Sequence, residues 1–169
     1  CGKTGAWEFD NSPSGPVWAI DATPATPGYK SPLCSLNFNN GTNFACPTSA
    51  AVKGTATTLW FDASAYKADS GLHATFWLGG SWENGPWDNL KIEASTDGDN
   101  WATLADYDPP GGVGFAGKTI DLAAYAGGLF RLRVHFNTQD CTANNGFGAF
   151  LDDLVISANV CFKDSDCND

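Results

Sequence analysis

The stretch Asn145–Ser157, NGFGAFLDDLVIS, is the most informative part of the sequence for the fold. Glycines lead into aromatic and aliphatic residues, and β-branched residues, which favour strands, close the run. Asp152 and Asp153 stand inside this apolar run, where an unpaired buried charge is costly. No Lys or Arg lies between residues 133 and 163 to pair with them. The stretch therefore predicts the closing strand of a β-sandwich, whose two acids either bind a cation or reach water at a strand end.

Alternation of apolar and polar residues predicts further strands. Residues Leu129–Phe136, LFRLRVHF, place four apolar side chains on one face and Arg131, Arg133 and His135 on the other. This pattern is typical of a half-buried antiparallel strand. The same alternation recurs at residues 7–10, 72–78 and 90–95.

Turn residues separate these runs and complete the fold prediction. Asp97–Asn100, DGDN, predicts a tight hairpin, and Asp108–Gly112, DPPGG, cannot continue a strand. We expect roughly nine short strands in an all-β fold, an antiparallel β-sandwich of jelly-roll type. Helix should be confined to single turns near residues 63–66 and 123–126.

Composition agrees with one β domain and excludes two classes of partner. The chain has 169 residues, 13% of them aromatic, with nineteen Gly and nine Pro. A net charge of −10 argues against nucleic-acid binding, which needs clustered Lys and Arg. No apolar run is long enough to insert into and span a membrane. We assign residues 1–160 to the sandwich and residues 161–169 to a linker or the start of a cysteine-rich module.

Six cysteines occur without a CxxC pair or a His at zinc spacing, so disulfides are favoured over a metal site. Disulfides imply an oxidising, extracellular location, on a secreted or cell-surface protein. Cys34 with Cys46 is the best local pair, and we expect all six to be oxidised. A chain that starts on Cys1 with no leader reads as a mature product or an excised fragment. The six are Cys1, Cys34, Cys46, Cys141, Cys161 and Cys167.

Several ordered motifs resemble bacterial MAM-like jelly-roll domains, which are relatives of galactose-binding-like sandwiches and of carbohydrate-binding modules on secreted multidomain proteins. The resemblance covers roughly residues 5–158, and the tail CFKDSDCND resembles the opening of an acidic cysteine-rich repeat. The motifs are WEFD (7–10), SLNFNNG (35–41), DNLKIEASTDGDNW (88–101), IDLAAYAG (120–127), LRVHF (132–136) and GFGAFLDDLVIS (146–157).

The resemblance implies a non-catalytic binding or adhesion domain that holds a structural calcium ion, Ca²⁺. The family's closing-strand acid matches Asp152, with Asp153 beside it. Its opening-strand acid matches Glu8, with Asp10 as the second choice. Carboxylates suit a hard cation such as calcium.

Tryptophan is abundant, with seven residues, and the loop LGGSWENGPWD is the candidate ligand site. Trp82 and Trp87 could stack on sugar rings, while Glu83, Asn84 and Asp88 could bond the hydroxyls. The alternative is structural, with Trp87 anchoring a sandwich edge and Trp82 covering a loop. We expect the remaining strand-like tryptophans to be core residues: Trp7, Trp18, Trp60 and Trp101.

No GxSxG or HExxH motif is present, so we predict no catalytic residues and no enzymatic activity. The predicted function is extracellular carbohydrate recognition, stabilised by calcium and disulfides, with a polysaccharide or glycoprotein as the partner. The alternatives are protein–protein adhesion to another surface protein and a structural accessory role in a larger secreted protein.

Overall fold

The computed structural model describes residues 4–110 and 114–159. These residues form β-strands joined by turns, with two single-turn 3-10 helices at Thr4–Ala6 and Ala123–Tyr125. No helix in the described ranges is long and apolar enough to cross a membrane. The strands are β1 (Trp7–Asn11), β2 (Val17–Asp21), β3 (Ser35–Asn39), β4 (Lys53–Thr58), β5 (Phe61–Asp62), β6 (His73–Ser81), β7 (Asn89–Ser95), β8 (Ala102–Tyr107), β9 (Ala116–Asp121), β10 (Leu129–Asn137) and β11 (Gly148–Ser157).

The strands build two antiparallel sheets, which confirms the predicted all-β sandwich. The first sheet has the order β1-β4-β10-β7-β8, with β5 also paired to β10. The second sheet has the order β2-β3-β11-β6-β9. Strands adjacent in a sheet are mostly distant in sequence, so long-range pairing defines the fold.

The core lies between the sheets and follows the alternation of the strands. Along β10, the even-numbered residues from Phe130 to Phe136 are buried, while the odd-numbered ones face outward. The ring of Phe136 lies 5.0 Å from that of Phe38, 5.7 Å from Phe44 and 5.9 Å from Trp82 (centroid distances). Aromatic contacts from both sheets and their loops therefore meet at one residue.

The acidic pair of β11 sits at an irregularity of the strand. The pairing with β6 shifts register between Asp152 and Val155, and Asp153 has a φ of 51°. The Asp152 Oδ2 atom accepts hydrogen bonds from the backbone N–H groups of Lys30 (2.8 Å) and Ser31 (3.0 Å). Backbone amides thus compensate the carboxylate that had no basic neighbour in the sequence.

The connection between β2 and β3 covers the outer face of the second sheet. Three polar side chains on that face, at Ser35, Asn37 and Asn39, are buried. The Ser35 hydroxyl donates to Gly28 O (2.6 Å), and the Asn39 amide donates to Thr23 O (3.1 Å). The outer face of the first sheet, in contrast, presents mostly exposed and half-buried polar side chains, with Glu93 and Thr57 buried among them.

One disulfide differs from the sequence-based pairing. Cys46 is bonded to Cys141, 95 residues further along the chain, so the predicted Cys34–Cys46 bridge is wrong. The bond joins the β3–β4 connection to the β10–β11 connection, which the sheet topology places side by side. Cys1, Cys161, Cys167 and the predicted boundary at residue 161 lie outside the described residues.

Candidate functional site

The outer face of the first sheet forms a continuous polar surface. Its centre is the outward row of β10, which pairs in register with the outward row of β7: Arg133 opposite Glu93, and His135 opposite Lys91. The β4 and β1 rows extend the surface on the other side. We call it the polar face, comprising Glu8, Asp10, Lys53, Thr55, Thr57, Asn89, Lys91, Glu93, Arg131, Arg133, His135 and Asn137.

Two arginines on the polar face are held in place by carboxylates. The Arg133 Nε and Nη2 atoms each lie 2.7 Å from Glu93 Oε2. The Arg131 Nη2 atom lies 2.6 Å from Glu8 Oε2, and its Nε donates to Thr58 O at 3.0 Å. Charge-assisted bonds of this kind fix the guanidinium planes before any ligand arrives.

Tryptophans flank the same arginines, against the expectation that they belong to the core. The Arg133 Cζ atom lies 4.2 Å from the ring centroid of Trp101, and Arg131 Cζ lies 5.4 Å from that of Trp60. Trp60 is 43% exposed and Trp101 is half-buried. The prediction of core positions is wrong for these two because they lie beside the outward row of β10. It is confirmed for Trp18, which is buried.

His135 stands at the centre of the polar face beside a buried carboxylate. Its Nδ1 atom lies 3.6 Å from Glu93 Oε2. Burial lowers the pKa of the imidazole, Glu93 acts against this, and Arg133, Lys91 and Lys53 lower it further. The imidazole is therefore mainly neutral near pH 7, where it can both donate and accept a hydrogen bond.

A polar cavity of about 670 Å³ adjoins the polar face at the start of β7. Its lining consists of Gly85, Pro86, Asp88, Asn89, Asp106, Asp108 and Gln139. Trp87 lies between two of these residues in sequence and is 52% exposed. From Asn89 to Ser95, β7 runs roughly 20 Å, at about 3.3 Å per residue. The polar face thus has exposed tryptophans near both ends, Trp87 at one and Trp60 at the other.

The structure separates the residues of the predicted ligand loop. Trp82 is 7% exposed and packs against Phe136, so its ring faces are covered, whereas Trp87 and Asn84 are exposed. Glu83 is half-buried, and its backbone N–H donates to Asp88 Oδ2 at 2.8 Å. Burial raises the pKa of Asp88 to about 6, although the hydrogen bond from Glu83 N acts to lower it. Of the two tryptophans, Trp87 is the one whose side chain is exposed.

The four predicted calcium ligands do not meet at one place. Glu8 is paired with Arg131 on the polar face, and Asp10 is exposed on the same row. Asp152 and Asp153 belong to the second sheet, next to Ser31. Across residues 4–110 and 114–159, no three His, Cys, Asp or Glu side chains are grouped to hold a metal. The four acids therefore do not fit a single calcium site.

A larger cavity, of about 730 Å³, lies elsewhere in the sandwich and has a different character. It is lined mainly by apolar residues, including Trp7, Leu36, Leu59 and Leu154, together with polar residues such as Ser31, Thr58, Asp152 and Asp153. Leu59 is 51% exposed there. Because apolar side chains form most of the lining, this cavity suits a ligand with apolar surface.

Comparison with known proteins shows similarity of fold. No protein-family model matches the sequence, and no curated protein matches it significantly. A carbohydrate-binding module, TmCBM61, solved in complex with β-1,4-galactotriose, superposes with a TM-score of 0.60 at 13% identity, over 93% of this chain and 91% of that one. The glycoside hydrolase domain of Endo-D from Streptococcus pneumoniae R6 gives a TM-score of 0.55 at 14% identity, over 89% of this chain but 21% of that one. The two likenesses place this chain among β-sandwich folds.

Proposed function

We propose that this chain is a non-catalytic module that binds a carbohydrate chain along its polar face. The observation that carries the proposal is a row of fixed polar groups some 20 Å long, estimated from the strand rise, with exposed tryptophans near both ends. Trp87 is exposed beside the polar cavity, and Trp60 is exposed beside Arg131. An extended ligand of several sugar units matches this length better than a single sugar.

The chemistry of the polar face suits a glycan. Sugar rings combine apolar C–H faces, which pack on aromatic rings, with hydroxyls that need donors and acceptors. Carboxylate, guanidinium, amide and imidazole groups alternate along the β7 and β10 rows. Because Arg131 and Arg133 are already held by Glu8 and Glu93, binding would immobilise few side chains. The smaller loss of side-chain entropy on binding matters for a ligand whose individual contacts are weak.

The fold comparison supports the class of ligand. One structural neighbour is a carbohydrate-binding module solved with a galactotriose, and it matches nearly the whole of this chain. The neighbour within a glycoside hydrolase matches about a fifth of that chain, in line with a module that forms part of a larger protein. An extracellular location accords with the disulfide between Cys46 and Cys141. The MAM-like resemblance and the cysteine-rich tail stay predictions.

Protein–protein adhesion is the second candidate function, and one observation favours it. Leu33 is 63% exposed and Leu59 is 51% exposed, and both line the apolar cavity. Exposed apolar groups around a cavity are typical of protein contacts. The cavity lining shares no residue with the polar face, although Leu59 directly precedes Trp60 in the sequence.

Substitution of the flanking tryptophans tests carbohydrate binding. Wild-type protein is applied to an array of neutral and acidic glycans that includes β-1,4-linked galactans, and affinities for positive glycans are measured by calorimetry. Trp60→Ala and Trp87→Ala should each weaken binding by about tenfold, the loss expected for one stacking contact. Trp77→Ala is the matched control. Trp77 lies in β6 of the second sheet, away from the polar face, and the Lys30 Nζ atom lies 4.4 Å from its ring centroid. Absence of glycan binding by the wild type, or equal binding by all four proteins, would contradict the proposal.

A further inference from the structure

We propose that the part of the polar face around His135 binds an acidic sugar unit of the glycan, one that carries a carboxylate or a sulfate group. This inference rests on the proposed function, because it names the class of glycan that the polar face selects. Its basis is the uneven distribution of charge over the chain and a cavity that combines an unpaired lysine with the imidazole. In this arrangement, Lys53 of β4 and His135 of β10 meet the anionic group.

Basic residues are concentrated on the polar face. The chain has nine Lys and Arg against nineteen Asp and Glu. Four of the nine basic residues, but three of the nineteen acids, belong to the polar face. In the rest of the chain, acids therefore outnumber bases by sixteen to five. An anionic ligand meets less repulsion on the polar face than elsewhere on this acidic protein.

Lys53 is the cation of the polar face that is left for a ligand. The two arginines are held by glutamates, and Lys91 Nζ lies 3.8 Å from Asp106 Oδ2. Lys53 is exposed and takes part in no salt bridge within residues 4–110 and 114–159. Its ammonium group can therefore bond an incoming anion without giving up a carboxylate partner.

A cavity of about 340 Å³ brings Lys53 and His135 together. This volume falls within the range of ligand clefts, about 300–1,000 Å³. Arg133 and Thr55 also contribute to the lining, and Asp10 is the one carboxylate among the described lining residues. Ammonium, guanidinium and imidazole groups donate hydrogen bonds, and such bonds are strong when the acceptor is an anion. The cavity thus offers an anionic group several donors and one repulsive neighbour.

The surroundings of His135 link anion binding to pH. Charged groups from four strands lie around the imidazole: Lys53 of β4, Lys91 and Glu93 of β7, Arg133 of β10 and Asp10 of β1. Burial lowers the pKa of the imidazole, the three cations lower it further, and Glu93 acts against them. A bound anion adds a negative charge and raises this pKa, so binding takes up protons. By linkage, affinity for the acidic glycan should rise as the pH falls from 7.5 to 5.5.

Pairs of glycans that differ only in charge test the inference. Uronic-acid oligosaccharides and their carboxyl-reduced forms, and sulfated oligosaccharides and their desulfated forms, are titrated into the wild type by calorimetry. In at least one pair, the acidic member should bind about tenfold more tightly than its neutral counterpart, as expected for one bond to a charged group. The pair that responds distinguishes a carboxylate from a sulfate ligand.

Variants that change the charge of the cavity in opposite directions sharpen the test. Lys53→Gln should weaken binding of the acidic glycan by about tenfold. Asp10→Asn should strengthen it, and both variants should affect the neutral counterpart far less. Lys67→Gln is the matched control, since Lys67 is equally exposed but lies in the β5–β6 connection and does not line the cavity. His135→Gln should abolish the rise in affinity at low pH.

The outcomes separate this inference from the proposed function. Equal or tighter binding of the neutral member of every pair would overturn the preference for an acidic sugar and leave the glycan module standing. So would Lys53→Gln and Asp10→Asn variants that bind the acidic glycan as the wild type does. A pH response that persists in His135→Gln would refute the role of the imidazole. A wild type that binds no glycan refutes the proposed function, and the inference falls with it.

Discussion

Among single residues, Phe136 illustrates how strongly the stability of this protein depends on its buried aromatic side chains. It is fully buried and touches three aromatic rings. Phe136→Ala should lower the free energy of unfolding by about 3–5 kcal/mol, the usual loss for a buried phenylalanine. Phe9→Ala, at a position 37% exposed, is the control and should cost far less. Urea denaturation measures both, and similar losses in the two variants would show that the core is not centred on Phe136.

Tryptophans show how far single residues could be assigned from the sequence. Trp18 was expected in the core and is buried, where its ring lies 5.5 Å from that of Phe38 (centroid distance) and its Nε1 donates to Gly54 O at 2.9 Å. Trp60 and Trp101 were also expected in the core but lie beside the arginines of the polar face. Alternation tells which residues share a face, but it does not tell whether a tryptophan in a turn packs inward or outward. Trp82 is buried for a similarly non-local reason, its contact with Phe136.

At the scale of secondary-structure elements, the pairing of β7 with β10 makes stability depend on pH. His135 faces Glu93 and Lys91 from β7, Arg133 from its own strand and Lys53 from β4, and its pKa in the folded protein lies below the ordinary value of 6.5. Below that value the unfolded chain binds more protons than the folded one, so the free energy of unfolding falls as the pH falls. The slope contributed by His135 is at most about 1.4 kcal/mol per pH unit, and less because the side chain is partly exposed.

Replacement of the imidazole isolates this contribution. Between pH 7.5 and pH 5.5, His135→Gln should lose less stability than the wild type, because the variant lacks the imidazole whose pKa is lowered on folding. Denaturant unfolding at each pH provides the measurement. Identical pH profiles for the wild type and His135→Gln would mean that the histidine titrates alike in the folded and unfolded chain.

Strands and turns were largely predictable where a short stretch of sequence carries the pattern that defines them. Asp97–Asn100 forms the expected turn, with Asp97 Oδ1 accepting from Asp99 N (2.9 Å) and Asn100 N (2.8 Å). The alternation of Leu129–Phe136 is confirmed as β10. The cover of the second sheet by the β2–β3 connection was not predictable, because it depends on non-local contacts such as the hydrogen bond from Asn39 to Thr23 O, which are 16 residues apart. Because that connection covers the second sheet, the first sheet is the one whose outer face stays open and carries the candidate site.

Across the molecule as a whole, the Cys46–Cys141 bond joins two connections that are distant in sequence, and its removal should destabilise the fold. A bond that closes about a hundred residues restricts the unfolded chain far more than a local bridge, so its loss should cost about 2–5 kcal/mol. The double variant Cys46→Ala with Cys141→Ala should show this loss in urea denaturation. The local bridge Cys34–Cys46, favoured by sequence proximity, predicts a smaller loss and a different peptide map. Non-reducing mass spectrometry that links Cys46 to Cys34, or a double variant as stable as the wild type, would contradict a stabilising Cys46–Cys141 disulfide.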